Sequence, residues 1–500
     1  MKKKGYSLLA LSTAVLASIP MLSACPSKFD GVTINFWHTF GKTPEDSIKA
    51  QADKFCKLVK DNEGINVRVK FTYKGAYNDV LSNVTKSFAS GETPTISVAY
   101  PDHVADYFAA EKKPGQYIVD LDKFINDEQI GFGKEAWLGD KHGADDFVEA
   151  FIEEGQNYGR KGTYSLPYMK SSEVMFYNLE AVRSFVGYYD ADIETDEQIS
   201  EFMDNLTWDE FMDFCEIIVE TNKTEKLFPT MEVAPCFYDS DGNYVISKMY
   251  QEGIPFASIS DTGKGIIDFN GVEGSGFTPS DAQKKNYNDL VEFLKSYKGL
   301  YDKGLFTTKG VYGEYGSNNF TQQKTIFSIG SSGGAGYNFP STSTFTVGIC
   351  KVPASNNNPL YVSQGPTLTV FNNAKLSEQD NNDAVKYAWK FLKFITNEEV
   401  NSDLCINGSE GYIPVRESAY NTDLFLDFME NGEKYAKTAE TVIKGIDGAY
   451  INTPVFQGSA ALRENMGACF ADVMRLGANP TDEAIKEVLN RAISNTVQKM

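Results

Sequence analysis

The sequence predicts an α/β protein of more than one lobe. Two observations carry this. The first hundred residues alternate between a period of two and a helical period in their apolar positions, the pattern of a parallel sheet with helices on both faces. The chain has 500 residues, more than one hydrophobic core organises, so two or three lobes are expected.

The elements follow in order. In "VTINFWHTF", Val32, Ile34 and Phe36 alternate, which predicts a strand. Residues 44–61 place Ile48, Ala52, Phe55, Leu58 and Val59 at helical spacing. "INVRVKFTY" alternates again, and residues 77–90 return to helical spacing through Tyr77, Val80, Leu81, Val84 and Phe88. "PTISVAY" is a third strand. Further on, "EVMFYN" (173–178) reads as a strand, and Thr207-x-x-Glu210 is a capping box opening a helix with Phe211, Phe214, Cys215 and Ile218 on one face. "DSDGN" (239–243) and 260–276 read as turns, the first because its EF-hand-like start lacks the later ligands. "KTIFSIG" and "FTVGICKVP" predict short strands. "AVKYAWKFLKFI" lines Val385, Ala388, Trp389, Leu392 and Ile395 along a core-facing stripe. From Ala460 the chain reads as helical, with a break near 477–480. Trp37 and Trp208 are assigned to core packing.

The first 24 residues read as a leader. Lys2, Lys3 and Lys4 precede an apolar stretch from Tyr6 to Ile19, too short to span a bilayer comfortably. Leu22-Ser23-Ala24-Cys25 fits a lipobox, so Cys25 is expected to carry lipid and to hold the chain on the outer face of a membrane through a tether at 25–31. The formal charge of −21 becomes −24 once the leader's three lysines are removed. That balance argues against a nucleic-acid partner. The remaining Cys56, Cys215, Cys236, Cys350, Cys405 and Cys469 are scattered and apolar-flanked. They read as free thiols, three disulfides being the alternative, and no spacing suits zinc.

Residues 327–336 read FSIGSSGGAG. Gly330-Ser331-Ser332-Gly333-Gly334 satisfies G-x-S-x-G, which would make Ser332 a nucleophile. In that fold the triad histidine follows the serine, whereas His38, His103 and His142 all precede it. The alternative is a cradle of small groups for a bound ligand.

Separated motifs then converge. "INFWHTF", "TYKGAY" (72–77), "GETPTISVAYPDH" (91–103), "LPYMKSSEVMFYN" (166–178), "EGIPFAS" (252–258), "SQGPTLTV" (363–370), "SEGYIPVRESAY" (409–420) and "SAALR" (459–463) together resemble the family 1 extracellular solute-binding proteins of ABC importers, and within them the branch that binds glycerol 3-phosphate. The resemblance covers nearly the whole chain after the leader, with insertions near 138–157 and 260–285. It implies a two-lobed periplasmic-binding-protein type II-like fold with the ligand cleft between the lobes. Lobe one would comprise 30–168 and 355–416; lobe two would comprise 169–354 and 417–500. It also implies hinge closure on a phosphorylated polyol, delivery to a membrane permease, no covalent chemistry, no cofactor or metal, and a monomer. Ser171, Ser331, Gly365, Tyr412 and Arg463 would hold the anionic end, Tyr77 and Asp102 the hydroxyl end. A neutral sugar or oligosaccharide is the alternative ligand, and a surface hydrolase or an adhesin the alternative function.

Overall fold

The computed structural model describes residues 29–500 apart from 275–276, 356–357, 410 and 447. The leader, Cys25 and most of the tether lie outside the described residues.

Two five-stranded sheets organise the chain. The first runs Val67–Tyr73, Val32–His38, Ile96–Ala99, Thr367–Val370, Leu166–Pro167. Its first three strands are parallel, and Thr367–Val370 is antiparallel to both its neighbours. The second runs Val347–Lys351, Glu173–Asn178, Phe327–Ser331, Cys236–Tyr238, Phe306–Thr308. The β-α-β-α-β opening is observed: helices Lys42–Glu63 and Tyr77–Ser90 alternate with the first three strands. Ile48, Ala52, Phe55 and Val59 are buried on the first helix, and Val80, Val84 and Phe88 on the second. Burying a side chain of this size contributes about 2 kcal/mol.

Each sheet has its own apolar core, one around Phe36, Phe55 and Trp389, the other around Phe211, Phe327 and Phe470. Trp208 is buried in the second core; Trp37 packs partly buried on the first, with the Lys74 ammonium 4.0 Å from its ring centroid. The six cysteines are free, and all but Cys56 are buried. Two segments read as turns are more ordered than that. Asp241 opens a helix, Asp241–Gln251, and Gly265–Ile267 pairs with Ala257–Ile259 as a hairpin. Polar residues obscured the helix, because Asp, Ser, Gly and Asn at its start suit a turn and a helix N-terminus equally. No helix among the described residues is long and apolar enough to cross a membrane.

The chain crosses between the sheets in three adjacent segments. Residues 168–172 link the two sheets, Ser171 bridges Gln364 on the return crossing, and Lys170 bridges Ile413 on the third. These segments are short and mutually hydrogen-bonded.

Candidate functional site

A cavity of about 1240 Å³ lies between the sheets, floored by the crossing segments. All seven residues singled out from sequence line it: Tyr77, Asp102, Ser171, Ser331, Gly365, Tyr412 and Arg463.

The floor is built by strand pairing. Ser331 lies opposite Glu173 in antiparallel register, and its Oγ is 3.3 Å from Ser171 Oγ. Gly365 has φ +114°, and a Cβ there would lie 2.2 Å from the Met169 carbonyl oxygen. Only glycine permits that approach of the two crossings. Gly333 has the same role for an aromatic: a Cβ would sit 2.6 Å from Cζ of Tyr412, whose ring lies against that backbone.

The first-sheet wall is aromatic. Tyr77 stacks on Tyr100 at 4.0 Å between centroids with planes 21° apart, and burial raises the pKa of both phenols. Tyr77 thus lines the cleft while packing, partly buried, against the edge of the first core. Tyr100 carries a second contact, with the Arg463 guanidinium 5.2 Å from its ring centroid.

Arg463 and Asp102 form an ion pair, Nη2 to Oδ2, at 2.6 Å. The two ends of the ligand that the resemblance keeps apart therefore meet in one pair. The reason is topological. Asp102 is in the first turn of helix Pro101–Ala110, which packs on the first sheet's elements. Arg463 is on helix Ser459–Met474, which packs on Asp241–Gln251 beside the second sheet. The pair spans the cleft. Two further bonds span it beside the pair: Asn78 Nδ2 donates to Glu464 Oε1 at 2.7 Å, and the Gly458 amide donates to Asp106 at 3.0 Å.

The cavity is acidic. Asp102, Glu154, Glu173, Asp239, Asp241, Glu464 and Asp472 line it, against Lys309, Arg463 and Arg475. Burial raises the Glu173 carboxyl to about 7 and that of Asp239 to about 6. Buried lining atoms without a hydrogen-bond partner include Asp102 Oδ1, Glu173 Oε1, Asn338 Oδ1 and Asn452 Oδ1, all acceptors; Gln364 Nε2 is a donor among them. Exposed Tyr315 and Tyr337 stand among the lining residues contributed by the second sheet's side.

Sequence reading missed Tyr100, Glu173, Asp239 and Asp241. Tyr100 stands directly before the Pro101-Asp102 step, and the two aspartates open the polar run read as a turn. Glu173 heads a fully buried strand and is followed by the apolar run Val174 to Tyr177, an anomaly that could have flagged it. Ser332 is fully buried and its Oγ lies 3.4 Å from the Ser172 amide, accepting its hydrogen bond; among the described residues no histidine lines the cavity. Ser332 is thus held in the backbone pairing behind the cavity, while its neighbour Ser331 lines it.

Two α/β units around one polar cleft define a protein that clasps a small solute. The chain matches the model of the bacterial extracellular solute-binding proteins over residues 50–436, and it belongs to that family. Members bind a small solute outside the cell and work with ABC permeases, and the family and fold are those of non-enzymatic binding proteins. Among solved structures, the GacH receptor of Streptomyces glaucescens, described unliganded and with acarbose, is similar at 16% identity, covering 93% of this chain and 98% of that one with a TM-score of 0.62. UgpB from Mycobacterium tuberculosis in complex with glycerophosphocholine gives 15%, 93%, 98% and 0.63. The cyclic alpha-maltosyl-1,6-maltose binding protein from Arthrobacter globiformis gives 16%, 93%, 100% and 0.62. At these identities the likeness is one of fold. No curated protein sequence matches the chain.

Proposed function

We propose that the cleft captures a hydroxyl-rich glycan and that the lobes, 30–168 with 355–416 and 169–354 with 417–500, close on it about the three crossings before delivery to a permease. The observation that carries this reading is charge. Seven carboxylates face three cations in the lining, only Glu154 having a further cation, Lys170, behind it, and Arg463, the cation best placed for an anion, is committed to Asp102. A phosphate would have to displace that carboxylate and enter a field of its own sign. Sugar hydroxyls instead donate to carboxylates and side-chain amides, the groups that end without partners here. Tyr77 and Tyr412 would meet the carbon faces of the rings, Ser171, Ser331 and the Gly365 backbone their hydroxyls.

A phosphorylated polyol, glycerol 3-phosphate or a glycerophosphodiester, is the second reading. The Ser171–Ser331 hydroxyl pair favours it, since two close hydroxyls and a guanidinium are a phosphate's usual partners. Calorimetric titration with maltotriose, N-acetylchitotriose and sn-glycerol 3-phosphate separates the two. Saturable binding of a trisaccharide, with silence from the phosphate, is the expected result; the reverse would replace the glycan by the polyol. On either reading the protein acts as a monomer, held outside the membrane by lipid on Cys25.

A further inference from the structure

Three of the lining carboxylates have a cation within 4 Å: Asp102 has Arg463, Glu154 has Lys170 at 2.6 Å, and Asp472 has Arg475 at 3.5 Å. Two more are held by neutral donors. Asp241 takes the Thr308 hydroxyl and the Gly310 amide, and Glu464 takes the Asn78 amide.

Glu173 combines two features that these residues show singly: like Asp241 and Glu464 it has no cation within 4 Å among the described residues, and like Asp102 and Glu154 it has a carboxyl oxygen without a hydrogen-bond partner. The residue is 4% exposed, and Oε2 takes the Tyr238 hydroxyl. Oε1 has no hydrogen-bond partner. The side-chain amides of Asn243 and Gln364 point their donors toward the carboxyl and ease its charge, though Gln364 Nε2 stops short of a well-formed hydrogen bond. Glu173 has no ion pair among the described residues, and the charge of Asp239, another lining residue, acts on it with the same sign. Asp239 in turn takes the amides of Gly316 and Ser317, and Lys309 eases its charge. Lys309 has turned to the Tyr315 ring, 3.6 Å from its centroid.

A buried carboxylate with a bare oxygen, at the floor of an open cavity, is costly unless something supplies the missing charge. We propose that Glu173, seconded by Asp239, receives a positively charged group of the solute, a protonated amine or a quaternary ammonium. The inference rests on the cavity being the solute site. It adds a cation to the hydroxyl-rich ligand argued above. The side of the cleft facing Ser171 and Ser331 would take the hydroxyls next to that group, since Ser331 is the cross-strand partner of Glu173.

Matched ligand pairs test this on the purified protein at pH 7.5. The glucosamine trimer and its N-acetylated form differ in their amines. Glycerophosphocholine and glycerophosphoglycerol share a phosphodiester and differ in the quaternary ammonium. Calorimetry is expected to show the cationic member of a pair binding about tenfold tighter, with Glu173→Gln reducing that preference to about twofold or less. Equal affinity within the pairs would overturn the cation subsite while leaving the glycan reading in place. Binding of glycerol 3-phosphate alone would overturn both. Preference for glycerophosphocholine with silence from both trimers would keep the subsite and overturn the glycan.

Discussion

Replacing Glu173 by glutamine should make the unliganded protein more stable at high pH. The carboxyl sits at the end of a buried strand, with burial as the largest influence on it, and its pKa rises to about 7. In the unfolded chain it titrates in the ordinary range, near 4.3. A raised carboxyl binds its proton more tightly in the folded state. Between about pH 4.5 and 7 the folded state therefore holds more protons than the unfolded one, and stability falls as pH rises. Each pKa unit is worth about 1.4 kcal/mol, so the full loss, complete above pH 7, is about 4 kcal/mol. Glutamine keeps an oxygen for the Tyr238 hydroxyl and cannot ionise. The difference in unfolding free energy between variant and parent, measured by urea titration from pH 4 to 8.5, should shift by about 4 kcal/mol in favour of the variant as pH rises. A difference that stays flat across that range would mean that Glu173 is solvated or charge-compensated. The argument for an uncompensated carboxyl would then fail.

Three further outcomes are expected. A double-mutant cycle with Asp102→Asn and Arg463→Met, read by thermal unfolding, should show a coupling of about 1–2 kcal/mol, because both side chains are largely buried and in contact; independent effects would show that the bridge across the cleft does not hold in solution. Gly365→Ala should cost about 2–4 kcal/mol of stability in chemical denaturation, since it puts a Cβ against the Met169 carbonyl at a positive φ; a neutral effect would contradict the close approach of the crossings. Lys393→Met should lower stability by about 3–5 kcal/mol, because its ammonium is fully buried between Glu135 at 2.8 Å and Asp140 at 3.2 Å; retention of the parent's melting temperature would show that water reaches this network.

The sequence made local structure legible where one face of an element meets a core. Ile34 and Phe36 alternate because only one face of their strand packs on Phe391 and its neighbours. The same rule failed at Asp239–Asn243, where the helix start faces the cleft and carries no apolar signal. The seven residues named by the resemblance all line one cavity: Ser171, Gly365 and Tyr412 lie at or beside the crossings of its floor, and Tyr77, Asp102 and Arg463 lie on helices of its walls. It could not reveal that Arg463 lies against Asp102. That contact joins residues 361 positions apart on helices belonging to different sheets. Tyr77 was legible as a helix residue, but its stacking on Tyr100 depends on how two neighbouring elements end, which no periodicity encodes.

Charge joins the chain's composition to its site. With a formal charge of −21, the protein's long-range field repels phosphates and draws cations. A phosphate site would need local donors strong enough to overcome that field, and the best of them, Arg463, is already neutralised. A ligand that carries hydroxyls and a positive group needs no such reversal. The field that attracts it, the carboxylates that line the cleft and the bare oxygen of Glu173 then act in the same direction. Salt separates the two cases: screening should weaken a cationic solute's affinity, because its long-range attraction is lost, and strengthen that of an anion held against the field. The sign of that dependence, measured by calorimetry for whichever solute binds, reports which charge the cleft was built to receive.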